Sequence, residues 1–288
     1  MKLSIKEICY FLFVRLPNII IGKYIKKNLV YVHWGRGLNN FGDCLQPDIL
    51  RHYGLTPVYV PDSRRADIIL AGSILQWLSP EYDGYIVGTG GDKMIYSFPN
   101  AKVLAVRGKL TLNNFKHNNG CDIKLGDPGL LMPFVYPKKL TYKYKLGIIP
   151  HFVDTNEKFI RMWKNNWQKE NIIFINVLQA PHKVIEQIKQ CQCIISSSLH
   201  GLIIADAYNL PNVRIVNRNT MPSVFYDYKF DDYYSALNCE SIYVEVSGNE
   251  TIDEMINYTT LKPIERVKKI QCDLNEIMLD FARLFKRN

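Results

Sequence analysis

The stretch "CQCIISSSLHGLIIADAYNLPNVRIV", Cys191 to Val216, decides the reading of the fold. Cys193, Ile194, Ile195 and Ser196 read as the end of a buried strand. From Leu199 onward, Leu202, Ile203, Ala207 and Tyr208 fall at helical spacing. Pro211 closes that element, and Val213, Arg214, Ile215 and Val216 read as the next strand. Three serines and His200 therefore stand where a strand hands over to a helix. In a parallel α/β sheet that junction faces the ligand crevice.

The same alternation extends outward. "LVYVHW" (Leu29–Trp34) is a strand, followed by the loop "GRGLNNFGD" and a helix through "CLQPDILRHYG". "ADIILAGS" (Ala66–Ser73), "YDGYIVGTGG" (Tyr82–Gly91) and "AKVLAVRG" (Ala101–Gly108) are further strands with polar or glycine-rich ends, and "KLGDPGLLMP" is a short strand and turn. "FVYPKKLTYKYK" (Phe134–Lys145) carries no helical period and reads as a linker. A second series follows: a strand in "KLGIIPHFVD", a helix through "NEKFIRMWKNNWQKE", a strand in "NIIFINVL" and a helix through "PHKVIEQIKQC". After Asn217 the pattern weakens until the terminal helix, where Ile264, Val267, Ile270, Leu274, Ile277, Met278, Phe281 and Leu284 make one stripe. This predicts an α/β protein of two Rossmann-like domains facing across a cleft, a glycosyltransferase-B-like arrangement. The first domain covers residues 1–140 and the second 141–288, including a terminal helix over 263–287.

The chain has 288 residues, 47% of them hydrophobic, so it can bury a large core. Its 36 Lys+Arg against 27 Asp+Glu give +9, which favours an anionic partner. Nucleic acid is set aside, because the basic residues are scattered and no recognition motif accompanies them. The seven cysteines form no CxxC pair, which argues against a disulfide framework or zinc knuckle and for a reducing compartment. Cys191 and Cys193 read as packing residues. Residues 1–28 hold an apolar run, Ile8–Val14, flanked by Lys2, Lys6, Arg15, Lys23, Lys26 and Lys27. No small-residue cleavage site follows, and the uninterrupted run is too short to cross a bilayer. The composition suits a segment lying on an anionic leaflet; the competing reading is an ordinary helix packed on the domain.

The chemistry-bearing residues fall at strand ends: Asn40, Gly42 and Asp43; Gly72 and Ser73; Gly90 within Gly88–Gly91; Arg107; His151; and Ser197, Ser198, His200 and Gly201. A helix start offers main-chain N–H groups and partial positive charge, which together hold an anion. A Ser N-cap explains one serine but not three with a histidine. His200, in the first turn, titrates near neutrality and can carry a proton. Arg107 leaves the sheet where a guanidinium can grip a carboxylate or phosphate, or else form a salt bridge. His151, with Asp154 nearby, occupies the matching place in the second half. "GRGLNNFGD" is not GxGxxG and lacks a P-loop lysine, so nucleotide binding is weakly supported. Asp231-Asp232 has no supporting ligand cluster, and no metal is expected.

"NNFGDCLQPDIL", "ILAGSIL", "VRGKLTL", "LGDPGLLMP", "GIIPHFVD" and "ISSSLHGLIIADAYNLPNVRI" resemble, in order, motifs of the polysaccharide pyruvyl transferase family. The resemblance runs from about Tyr31 to about Leu237, leaving both ends outside it. It implies transfer of pyruvate from phosphoenolpyruvate to two hydroxyls of one sugar, giving a cyclic ketal and phosphate, with no cofactor beyond that donor. It also implies donor-binding and catalytic roles for Arg107 and His200, with His151 or Asp43 taking the hydroxyl proton. Some members carry arginine where Ser198 stands, a charge for which Arg214 or Arg218 is the substitute here. Galactose bridged across its 4 and 6 hydroxyls, in a lipid-diphosphate-linked precursor, is the expected acceptor. The expected location is cytoplasmic, at the inner membrane face. Two rivals stand beside this reading. One is a nucleotide-sugar glycosyltransferase of the same architecture, with Asp206 or Glu240 on the ribose. The other is a non-catalytic anion- or glycan-binding module.

Overall fold

A computed structural model describes residues 5–35, 40–116, 122–137, 139–218 and 223–285, with side chains from residue 7 and, in the last stretch, from 227. Residues 36–39 of the "GRGLNNFGD" loop, Lys2 and Cys121 lie outside the described residues, as does the side chain of Lys6.

The chain is α/β with two parallel sheets. The first contains β1 (Leu29–Val32), β2 (Thr56–Tyr59), β3 (Ile68–Ile69), β4 (Tyr85–Val87), β5 (Lys102–Val106) and β6 (Lys124–Leu125), in the order β2-β1-β3-β4-β5-β6. The second contains β7 (Leu146–Ile149), β8 (Ile172–Phe174), β9 (Ile194–Ser196), β10 (Asn212–Val216) and β11 (Tyr243–Glu245), in the order β11-β10-β9-β7-β8. Each named pairing is parallel. β7, β9 and β10 are buried throughout, which is why they read as continuous apolar runs instead of alternating ones.

The sheets share one winding. Each begins at an inner strand, adds its second strand on one side, then crosses to the other side for its third. That reversal puts a switch point between β1 and β3 in one sheet and between β7 and β9 in the other. Ligands of open α/β sheets sit outside the strand ends at such points.

The helices of the α/β body, besides the single turn Met132–Val135, are α1 (Gln46–His52), α2 (Lys109–Asn113), α3 (Lys158–Asn166), α4 (Pro181–Ile188), α5 (Leu199–Ala207), α6 (Ser223–Ala236), α7 (Ile252–Asn257) and α8 (Ile264–Phe285) among the described residues. Every residue of α5 is buried, as expected for a helix apolar on all sides. It lies against β9, β10 and α4 and also against the turn Pro128–Leu131 from the first half. One continuous core therefore joins Val30, Val32 and Ile68 of the first sheet to Ile149, Ile194 and the residues of α5. α8 buries its stripe at Val267, Ile270, Leu274, Met278 and Phe281. Grouped by sequence order with the second half, it packs on the first. Ile270 and Leu274 lie over Gly126, Phe281 meets Tyr85 edge-on, and Asn275 accepts from the Tyr53 hydroxyl at 2.8 Å. Gly126 has φ +143° and no room for a Cβ beneath Ile270, so both the backbone and the contact require glycine.

The N-terminal residues form consecutive α and π turns: Ile5–Tyr10, Phe11–Arg15, Leu16–Ile20 and Ile21–Ile25. Arg15 does not interrupt this helix. Glu7–Ile25, 19 residues, is long and apolar enough to cross a membrane by length and composition, a test that signal sequences also pass. The uninterrupted run Ile8–Val14 is short, but the helix that contains it reaches membrane-spanning length.

Candidate active site

Both switch points open on one cavity of about 200 Å³. Asn40 and Asp43 reach it from the segment after β1, and Ser73, Ile74 and Trp77 from the segment after β3. His151 and Phe152 come from the end of β7, Ser198, Leu199 and His200 from the end of β9, and Lys229 from α6. Of the residues expected from sequence, Asn40, Asp43, Ser73, His151, Ser198 and His200 therefore meet at one place.

The three serines divide their labour. The single Ser196 hydroxyl proton is shared between the carbonyls of Ile149 (2.9 Å) and Ser198 (2.8 Å), and Oγ accepts from the Ser198 N–H (2.9 Å), knitting β7, β9 and the helix start together. Ser197 Oγ donates to the Asp154 carboxylate and accepts from the His151 N–H at 2.9 Å. This fixes the loop after β7 to that after β9. Ser198 occupies the N-cap position of α5, yet its side chain makes no capping bond. Ser198 itself lines the cavity at the helix start.

His200 is 7% exposed and neutral near pH 7: burial pushes the imidazole down to about 4, with Arg107 and Lys229 adding to the effect and Asp43 opposing it. Its Nε2 lies 3.7 Å from Asp127 Oδ1, too long for a hydrogen bond. Burial holds the Asp127 carboxyl up at about 6, while the Gly129 N–H at 2.8 Å favours its charged form. Burial likewise raises Asp43, whose Oδ2 lies 3.5 Å from Asn40 Nδ2, and lowers His151 to about 3. Gly42 lies against the imidazole and Gly72, at φ +109°, against Asp43 Oδ1. Neither glycine lines the cavity. They make room for the groups that do.

Arg107 stands directly behind the site and is fully buried. Nε donates to Asp232 at 2.9 Å and Nη1 to Ser73 Oγ at 2.5 Å. Asp232, from α6, also accepts from the N–H (2.8 Å) and hydroxyl (2.6 Å) of Thr111. Arg107-Gly108 thus locks α6 onto the first sheet. Because Ser73 Oγ accepts from Arg107, its own O–H is left to donate elsewhere, and Ser73 lines the cavity. Gly90 covers the guanidinium, leaving no space for a side chain. Gly201 faces Ser196 and Ile149, and Arg214 pairs with Asp227 and lies 3.9 Å over the Phe230 ring. Both are outside the cavity lining.

Sequence reasoning did not single out Ile74, Trp77, Phe152, Leu199 or Lys229, and two of these add chemistry to the lining. Lys229 is partly buried, and burial together with Arg107 and Arg214 pushes its ammonium down to about 7. The stretch "FYDYKFDDYY" gave no sign of a helix facing a site. Trp77 is 64% exposed at the cavity rim, on the turn Leu75–Trp77. The acids weighed for a ribose grip lie elsewhere. Asp206 is buried, accepting from Asn212 (2.6 Å) and the Tyr233 hydroxyl (2.9 Å), and Glu240 is exposed and outside the lining.

Comparison with known proteins bears on this arrangement. The chain is 30% identical over 192 residues to the uncharacterized protein L143 of Acanthamoeba polyphaga mimivirus, covering 61% of this chain and 64% of that one. It thus spans somewhat under two thirds of that relative. A sequence model of the family described as polysaccharide pyruvyl transferase matches residues 4–219, beginning well before Tyr31 and taking in the N-terminal helix. The match also holds every cavity-lining residue except Lys229. With more than half its length matched, the chain belongs to the polysaccharide pyruvyl transferase family.

Proposed function

We propose that the protein transfers the pyruvyl group of phosphoenolpyruvate onto two hydroxyls of one sugar at the cavity shared by the two sheets. In the balanced reaction the enol methylene takes a proton and becomes a methyl group. The central carbon loses its bond to the phosphate oxygen and gains bonds to two sugar oxygens. Of the two hydroxyl protons, one ends on the methyl and the other on the departing phosphate. The observation that carries the reading is the convergence of both switch points on one cavity, with the α5 N-terminus, Ser198, Lys229 and His200 in its wall.

A compact anion suits the first-turn amides of α5, the Ser198 and Ser73 hydroxyls and the Lys229 ammonium. Arg107 acts as a positioning residue through Ser73. His200 starts neutral, so it can accept a proton from the attacking hydroxyl. Negative charge arriving in the cavity raises the imidazole pKa, so donor capture and protonation of His200 favour one another. The protonated ring can then deliver its proton to the methylene. Asp43 and His151 line the same cavity and serve as partners for the hydroxyl protons.

The broad exposed face of Trp77 offers the acceptor sugar a stacking platform at the rim. A galactose of a lipid-diphosphate-linked glycan, reacting at hydroxyls 4 and 6 on the cytoplasmic side of a membrane, is the first acceptor to assay. The two lobes play the parts of a glycosyltransferase-B-like pair, with the donor against the second sheet and the acceptor against the first. Incubation with phosphoenolpyruvate and galactosyl acceptors tests the reading. Phosphate release matched by a pyruvyl ketal mass gain is expected, with His200→Ala folded and inactive and Trp77→Ala raising acceptor KM about tenfold, as loss of a good stacking face implies. Sugar transfer from a nucleotide sugar without use of phosphoenolpyruvate overturns it. So does anion binding with no turnover.

A further inference from the structure

The N-terminal helix carries its own message, independent of the cavity. Ile8, Phe11, Leu12, Phe13, Val14, Leu16, Ile20, Tyr24 and Ile25 are each more than a third exposed. They do not form a stripe. Ile8 through Val14 are exposed on nearly every side except at Tyr10, which is half-buried. Toward its end the helix meets the α/β body: Asn18 Nδ2 donates to the Pro57 carbonyl at 3.4 Å, and Gly22 lies on Leu29 and Thr56. A helix apolar all round belongs in a protein core or in lipid, and among the described residues no core covers this one.

Length and charge point to the same surroundings. The 19 residues Glu7–Ile25 would extend roughly 28 Å at the α-helical rise of about 1.5 Å each, and somewhat less through the two wider π turns, against the ~30 Å hydrocarbon thickness of a bilayer. Between Ile8 and Gly22 the charged side chain is Arg15, half-buried and long enough to reach out of an apolar layer. At the end next to the body, Lys23, Lys26 and Lys27 are all exposed, with Tyr24 among them. Basic and aromatic residues at one end of an apolar helix are the composition of a membrane–water boundary.

We infer that this helix inserts into a bilayer, with its uncovered part, Ile8–Leu16, in the hydrocarbon and Lys23, Lys26 and Lys27 toward anionic headgroups of the leaflet facing the α/β body. The occupant of the apolar surface is lipid, and the basic collar sets which lipid is preferred. The catalytic cavity is thereby tethered near a membrane surface.

The test uses the full chain, purified in mild detergent and mixed with vesicles of phosphatidylcholine alone or with added phosphatidylglycerol. Expected is co-flotation with both, resistant to high salt, with tighter partition onto the anionic vesicles. Replacing Lys23, Lys26 and Lys27 together by Gln should remove the anionic preference, roughly a hundredfold if each charge acts separately, and leave partition onto neutral vesicles unchanged. Replacing Phe11, Leu12 and Phe13 together by Ser should move the chain to the bottom of the gradient. Unchanged far-ultraviolet circular dichroism and thermal unfolding of the body keep both variants interpretable. The inference is overturned if the wild-type chain fails to float. It is equally overturned if the helix is protected in a discrete dimer without lipid, or if the chain recovered from cells begins after Ile25.

Discussion

Gly42 and His200 touch across the two halves of the molecule: a Cβ built on Gly42 would fall inside 3.0 Å of Nδ1, Cγ and Cε1 of the imidazole. Gly42 has φ −60° and ψ −44°, a conformation any residue adopts, so its smallness serves space and not backbone freedom. Gly42→Ala is therefore expected to displace His200. Overpacking at such a contact costs about 1–3 kcal/mol, and chemical denaturation should read that loss. Turnover should fall at least tenfold while the fold persists. Full activity in the alanine variant would show that the imidazole position is unimportant.

The serines separate a structural role from a functional one. Ser196→Ala deletes a buried hydroxyl whose shared proton and acceptor oxygen serve three main-chain groups and is expected to cost about 1–3 kcal/mol of stability, from the polar groups left unsatisfied. Ser198→Ala removes a hydroxyl that caps nothing and should leave stability within about 0.5 kcal/mol, yet raise donor KM severalfold. Thermal unfolding and initial-rate kinetics on the two variants check the contrast.

The ion pair of Arg107 and Asp232 is buried on both sides. Asp232→Ala strands a guanidinium in the interior and is expected to cost about 3–5 kcal/mol. The double variant Arg107→Met, Asp232→Leu should recover most of that loss, because it removes both charges. A double-mutant cycle in denaturant measures the coupling, and simple additivity would contradict the pairing.

Lys229 gives a pH dependence with a definite sign. Its ammonium deprotonates near 7 in the folded chain, against about 10.4 when unfolded. Anion affinity should therefore be strongest below that value and weaken as pH rises through it. Sulfate, fully ionised across this range, is the suitable probe, and calorimetry should show roughly tenfold weaker binding on the alkaline side. Lys229→Met should bind weakly and without that limb. Because the unfolded chain holds this proton up to higher pH, stability should rise between the two values in the wild type. A pH-independent sulfate affinity would remove Lys229 from the site.

Much of this was legible in the chain itself. The strand-to-helix junction at Ser196–His200 was plain because a buried parallel strand and a buried helix both read as apolar runs, broken only where they meet the ligand face. β2 escaped notice because Pro57 interrupts a four-residue strand, and such a strand belongs at a sheet edge, which is where it lies. α6 was invisible for another reason. Its buried residues include Tyr228, Phe230, Asp232, Tyr233 and Tyr234, which wrap round the helix and leave no single apolar stripe. Lys229 was hidden with it, since a lysine among aspartates and tyrosines looks solvated. The stripe of α8 was clear, but a stripe does not say which sheet receives it; Gly126 holds that answer. Arg107 was singled out for a ligand, and its nearest anion is the carboxylate of Asp232, 125 residues away in the chain.

The entombment of α5 has a mechanical consequence. The helix that carries His200 is gripped from both sides, by β9 and β10 and by the turn Pro128–Leu131. Prising the halves apart would strip Leu202, Ile203 and Ile204 of their cover, at about 1.5–3 kcal/mol for each aliphatic side chain fully laid bare. The molecule thus behaves as a vessel with a fixed mouth, not as a pair of jaws. On the proposed function, substrates would enter past Trp77 at the rim without the halves parting, and small-angle scattering profiles with and without phosphoenolpyruvate should superimpose.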